Sequence, residues 1–124
     1  MDNPTNSQWK KRLVTPEEVF YSIKPGMTIF LGSGVAEPRT LMKYLIESGM
    51  SNMKDLEVIQ LTNHSDMLSL KRPDWQKLCL KTFISTMVST DLVMAGNVDL
   101  IPARISQIPR IIKSKRIPIN VAMV

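Results

Sequence analysis

Cysteine and histidine are the scarcest reactive residue types in this chain, with Cys79 and His64 each occurring once in 124 residues. A single cysteine excludes an internal disulfide bond and fits a reducing compartment. One thiol and one imidazole are also a thin supply of metal ligands, so we expect no metal site. We expect His64 to be a loop residue without a role and Cys79 to be a buried small hydrophobic residue.

Long apolar runs are absent as well. No run approaches the roughly 18 residues that a membrane-spanning helix requires. The first seven residues are largely polar and lack the apolar core of a secretory signal. We therefore expect a cytoplasmic protein with no membrane association.

Aromatic residues make up 6% of the chain and are not interleaved with the basic residues that give a net charge of +5. Because base stacking needs such aromatics beside the cations, we expect no nucleic-acid partner. A general attraction for anionic ligands remains compatible with the charge. Arg104 and Arg110 could each meet a phosphate, a carboxylate or only solvent.

The chain is long enough for one domain, and its apolar fraction of 44% supports a packed core. Residues 1–14 are predicted to be a flexible or loosely docked arm, and residues 15–124 an α/β domain. The domain opens with a capping box, in which Thr15 is the N-cap and Glu18 the third helical residue. Pro25 and Gly26 end this first helix.

Strand and helix patterns then alternate along the chain. We predict strands at about 27–31, 56–61, 78–84, 98–101 and 119–124, and helices at about 38–48, 85–95 and after an N-cap at Ser106. In the last helix Ile108, Ile111 and Ile112 form the buried face. Residues 71–74 are predicted to be a loop. The alternation predicts an open, mostly parallel sheet with helices on both faces.

The last predicted strand is nearly all apolar and stops at Val124. Ligands of open α/β sheets lie beyond the carboxyl ends of the strands. We therefore expect the domain to be truncated within or just after this strand.

The segment Met27–Pro38 is the strongest candidate for a site. It is predicted to contain a strand, the turn Gly32-Ser33-Gly34 and the start of a helix. Glycine permits a close approach of the backbone to a ligand, and the N–H groups of a helix's first turn attract oxygen atoms. Chain reversal alone is the competing explanation for these glycines.

Two other interpretations of this loop fit the residues less well. A nucleophilic Ser33 would need a nearby base, and the Gly-x-Ser-x-Gly pattern is not met. A dinucleotide-binding fingerprint would need a small residue at Glu37 and an acid at the end of the second strand, where Gln60 and Leu61 stand. Glu37 is either a charge favoured by the helix dipole or a pocket-lining group.

Two segments carry a resemblance to a known family: Thr15–Pro38 with the following helix, and Asn97–Arg110 with the strand Pro118–Val124. Together they resemble the N-terminal part of the acetyl-CoA hydrolase/transferase family, which includes 4-hydroxybutyrate and butyrate CoA-transferases. The resemblance spans about residues 15–124. The middle, around Leu61–Asp66, matches less well and leaves the subfamily open.

The resemblance implies a longer enzyme of two similar α/β halves. Such enzymes move CoA from an acyl-CoA to a small carboxylate through a glutamyl-CoA thioester, which divides one difficult transfer into two easier steps. In the family the glutamate and the main CoA contacts lie in the C-terminal half. The resemblance therefore implies no catalytic residue here, neither Glu37 nor Glu47, and no tightly bound cofactor, since coenzyme A is a substrate.

This chain would then supply the wall of the active site that faces the catalytic half. Its backbone N–H groups could meet an acyl or carboxylate oxygen of the substrate. The implied substrate-binding residues are Gly32, Ser33, Gly34, Ala36, Glu37 and Pro38.

A half-enzyme without its C-terminal half would expose apolar surface, so we expect a homo-oligomer and no CoA transfer by the chain alone. The alternative is a small nucleotide- or anion-binding α/β module without catalysis, or an interaction domain with a basic surface.

Overall fold

The computed structural model describes residues 8–47, 54–62, 78–84, 93–96 and 98–124. Neighbouring strands pair in parallel in the order β4-β3-β2-β1-β5. The strands are β1 (Thr28–Leu31), β2 (Leu56–Thr62), β3 (Leu78–Ile84), β4 (Val98–Leu100) and β5 (Val121–Met123). The helices are α1 (Pro16–Tyr21), α2 (Arg39–Glu47) and α3 (Ile108–Lys113), with 3-10 turns at Lys10–Arg12, Gly34–Ala36 and Ile105–Gln107. The predicted α/β fold with an open parallel sheet is confirmed.

Helix α1 begins where its sequence signal places it. The backbone N–H of Glu18 donates to Thr15 Oγ1 at 3.3 Å, and the N–H of Thr15 donates to Glu18 Oε2 at 2.9 Å. Pro16 occupies the first turn, where its missing N–H removes no helical hydrogen bond. The predicted capping box is confirmed.

Alternation along the strands divides the sheet into two faces. On one face, strand residues such as Ile29, Val58 and Leu80 form a core with Phe20 of α1 and with two residues of α2, Met42 and Leu45. On the other face, Ile59 and Phe83 pack with Ile108 of α3. Helices therefore cover both faces of the sheet, as the pattern predicts.

The boundaries differ from prediction at several element ends. Helix α1 ends at Tyr21, before the predicted stop at Pro25 and Gly26, and β5 begins at Val121 rather than at 119. A 3-10 turn separates the glycine loop from α2, which begins at Arg39 rather than at Pro38.

The prediction that Ser106 caps α3 is wrong. Ser106 lies inside a 3-10 turn, and Gln107 is the N-cap of α3. A hydrogen bond from the N–H of Arg104 to Oε1 of Gln107, at 3.1 Å, holds this turn.

The prediction that Cys79 is a buried small hydrophobic residue is wrong, because the residue is exposed. Leu78 and Leu80 alternate with it and face the α1/α2 core, so Cys79 points to the opposite face. There its register neighbour in β2 is Glu57, and Lys81 lies two residues along the same strand. Parallel strands are ordinarily buried on both faces, which is why the apolar run suggested burial.

Several predicted features lie outside the described residues. These are the loop at 71–74, His64, and most of the helix at 85–95. Gly96, the predicted stop of that helix, has a φ of 72°. Among the described helices, none is long and apolar enough to cross a bilayer.

Candidate functional site

The strand order reverses between β1 and β5. From β1 the chain adds β2, β3 and β4 on one side, and then returns to place β5 on the other side of β1. Ligands of open α/β sheets bind outside the carboxyl ends of the strands at such a reversal. The loop Gly32-Ser33-Gly34 leaves the carboxyl end of β1 at this point.

Gly32 is held on both sides by neighbouring strands. Its N–H donates to the carbonyl oxygen of Met123 in β5 at 2.8 Å. Its carbonyl oxygen accepts from Nε2 of Gln60 in β2 at 3.3 Å. A Cβ at position 32 would lie 2.6 Å from the carbonyl oxygen of Ala36. The close approach that demands glycine at this position is therefore made by the loop itself.

Ser33 connects the loop to the end of β2. Its hydroxyl oxygen accepts hydrogen bonds from the N–H groups of Leu61 at 3.0 Å and Thr62 at 3.4 Å. A hydroxyl has two lone pairs and one proton, so both acceptor positions are occupied. What remains to Ser33 is one O–H donor in a half-buried position at the carboxyl edge of the sheet.

The N–H groups that follow the glycine loop close its own turn. Ala36 N–H donates to the carbonyl of Ser33 at 3.3 Å, and Glu37 N–H donates to that of Gly34 at 3.2 Å. Pro38 has no N–H to donate. Gly34 adopts a φ of 64°, in the left-handed region that favours glycine. Contact between Ala36, Glu37 or Pro38 and a substrate would therefore use side chains or carbonyl groups.

Val35 is a site candidate that sequence analysis did not identify. Its side chain is fully exposed at the tip of the turn. Within the described part of the chain, no hydrogen bond involves its N–H. Val35 therefore presents an available N–H donor beside its own exposed apolar side chain. The only sequence signal was an apolar residue between Gly34 and Ala36.

Sequence analysis treats Gln60 only as a residue that does not fit a dinucleotide-binding fingerprint. In the structure its side chain contacts the glycine loop at Gly32. It is 2% exposed, and its register neighbour in β3 is Thr82, which is fully buried. Thr82 Oγ1 lies 3.1 Å from the carbonyl oxygen of Leu61, to which it donates. Polar side chains thus surround the ends of β1, β2 and β3.

A second polar group lies on the α3 face, nearer the amino ends of the strands. Lys81 Nζ donates to Glu57 Oε1 at 2.6 Å, and Glu57 Oε2 accepts from Thr28 Oγ1 at 3.2 Å. The hydrogen bond to Glu57 raises the pKa of Lys81. The structure does not bring these residues together with the glycine loop.

Cys79 lies in the same polar group. Its Sγ is 3.6 Å from Asp99 Oδ2. Partial desolvation of the sulfur, followed by the negative charge of Asp99, raises the pKa of the Cys79 thiol. A raised pKa lowers the thiolate fraction at neutral pH, which opposes a nucleophilic role. In the described ranges, no three His, Cys, Asp or Glu residues are grouped to hold a metal ion.

Comparison with known protein families matches residues 1–124 to the acetyl-CoA hydrolase/transferase N-terminal domain. The chain belongs to this family. A solved structure of a point mutant of RipA is similar, with a TM-score of 0.73 and 22% sequence identity over 99% of this chain. No curated protein matches.

The acetyl-CoA hydrolase/transferase N-terminal domain described here spans 30% of the RipA chain. At 22% identity the likeness shows a common fold and no more. The family membership confirms the resemblance identified from the sequence. The roles of the loop residues Gly32–Gly34 and Ala36–Pro38 stay predictions.

Proposed function

We propose that this domain forms one wall of an active site in which CoA passes from an acyl-CoA to a small carboxylic acid, or in which water hydrolyses the acyl-CoA and frees CoA. Family membership supports the reaction class. The observation that carries the proposal is the position of the glycine loop, at the reversal of strand order between β1 and β5. Ser33 and Val35 add two hydrogen-bond donors that have no acceptor among the described residues.

In this proposal the loop binds an oxygen atom of the substrate. A thioester carbonyl gains negative charge when it is attacked, and fixed donors stabilise that charge because they need no reorganisation. The O–H of Ser33 and the N–H of Val35 are the donors. The glutamate that forms the glutamyl-CoA thioester lies outside this chain, in the C-terminal half that we propose as the partner.

The first test is an activity assay on the complete gene product beside residues 1–124 alone. Free acetate, free CoA and newly formed acyl-CoA are followed after acetyl-CoA is added, with and without small carboxylates. Formation of acetate and a new acyl-CoA that depends on the acceptor identifies a transferase, whereas release of free CoA without an acceptor identifies a hydrolase. We expect no activity from residues 1–124 alone. Transfer by that fragment, or no reaction by the complete product with any acyl-CoA, would contradict the proposal.

A second test locates the covalent intermediate. The complete gene product is incubated with acyl-CoA and digested, and its peptides are analysed by mass spectrometry. We expect a CoA adduct on a glutamate outside residues 1–124. An adduct on Glu37 or Glu47 would overturn the assignment of no catalytic residue to this chain.

A third test concerns Ser33. We expect Ser33→Ala to lower kcat/KM roughly 100- to 1000-fold, because it removes one donor to the substrate oxygen. Ser114→Ala is the matched control, since its hydroxyl donates to the carbonyl of Ile111 at the end of α3. Equal kcat/KM values for Ser33→Ala and the control, measured on folded proteins, would remove Ser33 from the site.

A non-catalytic anion-binding module is the second candidate, and one observation favours it. All 11 acidic residues precede position 101, so the side chains of the last 24 residues carry basic charge only. The cations of this segment are all exposed: Arg104, Arg110, Lys113, Lys115 and Arg116. Salt-sensitive binding of CoA or nucleotides by an inactive complete gene product would favour this candidate.

We also propose a cytoplasmic location, which fractionation of cells would test.

A further inference from the structure

The buried polar side chain of Gln60 has an unusual position. Its neighbours on the same face, Val58 and Leu80, are apolar and almost fully buried. Its Nε2 donates to the carbonyl oxygen of Gly32 at 3.3 Å. Its Oε1 is buried and has no hydrogen-bond partner in the described structure. One half of the amide is therefore satisfied and the other half is not.

Packing does not explain a glutamine at this position. Burying an amide oxygen without a donor costs free energy, because the oxygen loses its hydrogen bonds to water. An apolar side chain of similar volume would fill the same space without that penalty. The hydrogen bond from Nε2 to Gly32 is what distinguishes glutamine from such a residue.

That hydrogen bond completes a two-sided hold on one residue. The N–H of Gly32 is fixed by Met123 in β5, and its carbonyl is fixed by Gln60 in β2. The next residue, Ser33, accepts two N–H groups from the end of β2. The direction of the loop is thus set by contacts on both sides of β1.

We propose that Gln60 is a positioning residue for the glycine loop. Its amide holds the carbonyl of Gly32 and thereby sets the direction of the donors at Ser33 and Val35. The inference rests on the proposed function, because the direction of those donors matters only if the loop meets substrate. The unpartnered Oε1 lowers the free energy of unfolding. The amide nitrogen of the same side chain fixes the geometry of the loop.

The deciding experiment is amide hydrogen exchange in the complete gene product with Gln60→Met. Methionine keeps the volume and removes the amide. The Gly32 N–H keeps its bond to Met123 in this variant, but the carbonyl of the same residue is no longer held. We expect the protection factor of the Gly32 amide to fall about fivefold, because the loop opens more easily by about the free energy of one hydrogen bond. Protection of Ile29 in β1 should stay unchanged. The melting temperature should change little, because removal of the unpartnered Oε1 is offset by the Gly32 carbonyl, which loses its Gln60 donor.

Thr82→Val is the matched control. Thr82 is buried on the same face and pairs in register with Gln60, but its hydroxyl donates to Leu61 rather than to the loop. We expect this variant to lower the melting temperature and to leave the protection of Gly32 unchanged. The two variants thereby separate loss of a buried polar group from loss of the hold on the loop.

Gln60→Glu supplies a readout that a purely structural role would not move. A protonated carboxyl donates to the Gly32 carbonyl, whereas a carboxylate repels it. Burial raises the pKa of such a carboxyl, and its neighbours Gly32 and Thr82 do not titrate. We expect the protection factor of Gly32 to be near wild type at low pH and to fall as pH rises.

Unchanged protection of Gly32 in Gln60→Met would overturn the inference, as would a pH-independent protection factor in Gln60→Glu. Equal losses at Gly32 and Ile29 would also overturn it, because they indicate general destabilisation. CoA transfer is measured on the same proteins, and a lower kcat in Gln60→Met is expected. A wild type that neither transfers CoA nor hydrolyses acyl-CoA would reject the proposed function, while hydrogen exchange would still decide the role of Gln60.

Discussion

Gly32 illustrates how one residue is constrained by its own surroundings. It is buried, and its N–H and carbonyl groups are hydrogen-bonded to residues of the two neighbouring strands. The carbonyl of Ala36 occupies the space where a Cβ would be. Gly34 differs, since it has open space around it and a φ of 64°. The two glycines of the loop are thus required for different reasons, one by contact and one by backbone conformation.

We expect Gly32→Ala to destabilise the protein by about 1–3 kcal/mol, because the methyl group must displace backbone atoms. Gly34→Ala should cost only about 1 kcal/mol, from the left-handed φ alone. Gly26→Ala is the matched control, with a φ of 79° and no atom within 4 Å. Urea unfolding measures all three. A Gly32→Ala variant as stable as the control would mean that the turn relaxes freely.

Among elements, α1 depends most on its first turn. It has six residues, too few for a stable isolated helix, so its cap and its packing through Phe20 hold it in place. The chain enters β1 from this helix. Loss of the cap should therefore loosen the approach to the glycine loop as well as the helix.

We expect Thr15→Ala to lower the free energy of unfolding by about 1 kcal/mol, because it removes the side-chain acceptor of the Glu18 N–H. Thr40→Ala, an exposed change in the first turn of α2, is the control and should stay within about 0.5 kcal/mol of wild type. Thermal and urea unfolding test both. Equal stabilities of the two variants would show that packing alone holds α1.

The ion pair between β2 and β3 predicts a dependence on alkaline pH. The pKa of Lys81 is raised by its hydrogen bond to Glu57, so protonation of Lys81 favours the folded state. This stabilisation is fully present below the ordinary lysine pKa of 10.5 and is lost as pH rises through the raised value. Since both side chains are partly exposed, the contribution is about 0–1 kcal/mol.

The measurement compares the free energy of unfolding of wild type with that of Lys81→Met between about pH 7 and about pH 11.5. We expect wild type to be the more stable protein up to about pH 10 and its advantage to shrink above pH 10.5. Lys54→Met, which changes an exposed lysine, should show no such convergence. An advantage that persists unchanged at high pH would contradict the role of the protonated amine.

At the scale of the whole molecule, charge and apolar exposure are unevenly distributed. The positive charge in excess lies after position 100, at Arg104, on α3 and on the turn that follows it. Large apolar side chains are exposed at several places among the described residues, and one group of them lies near the amino-terminal end. They include Leu13, Val14 and Tyr21. These residues flank the junction between the predicted arm, 1–14, and the domain.

We propose that residues 1–124 self-associate through this N-terminal apolar segment. Burying exposed leucine, valine and tyrosine side chains removes apolar surface from water. Sedimentation velocity should show a mean mass that rises with protein concentration. Leu13→Ser with Tyr21→Ser should reduce the rise, whereas Val35→Ser, at the glycine loop, should not. A monomer at high concentration would contradict the proposal.

Local signals were sufficient for the elements of this chain and for the place of the loop. The span of β3 was predicted to the residue, and β1, β2 and α2 to within about one residue, because apolar runs, glycine turns and caps act over a few neighbouring residues. The burial predicted for Cys79 and the capping role predicted for Ser106 were wrong. The first depends on non-local packing and the second on a turn that the local pattern did not reveal. Cys79 is exposed although it lies on the α3 face, because it is outside the cluster that packs with α3. The cap of α3 depends on a 3-10 turn.

The alternation of strands and helices, the capping box at Thr15 and the glycine turn after β1 are all predictable from local sequence. Each follows from backbone freedom and side-chain pattern within one short segment. The tertiary structure alone decided that β5 lies beside β1 and that Gln60, 28 positions away, bonds to Gly32. Strand order and such contacts arise from burying both faces of one sheet together, and no local pattern encodes that choice.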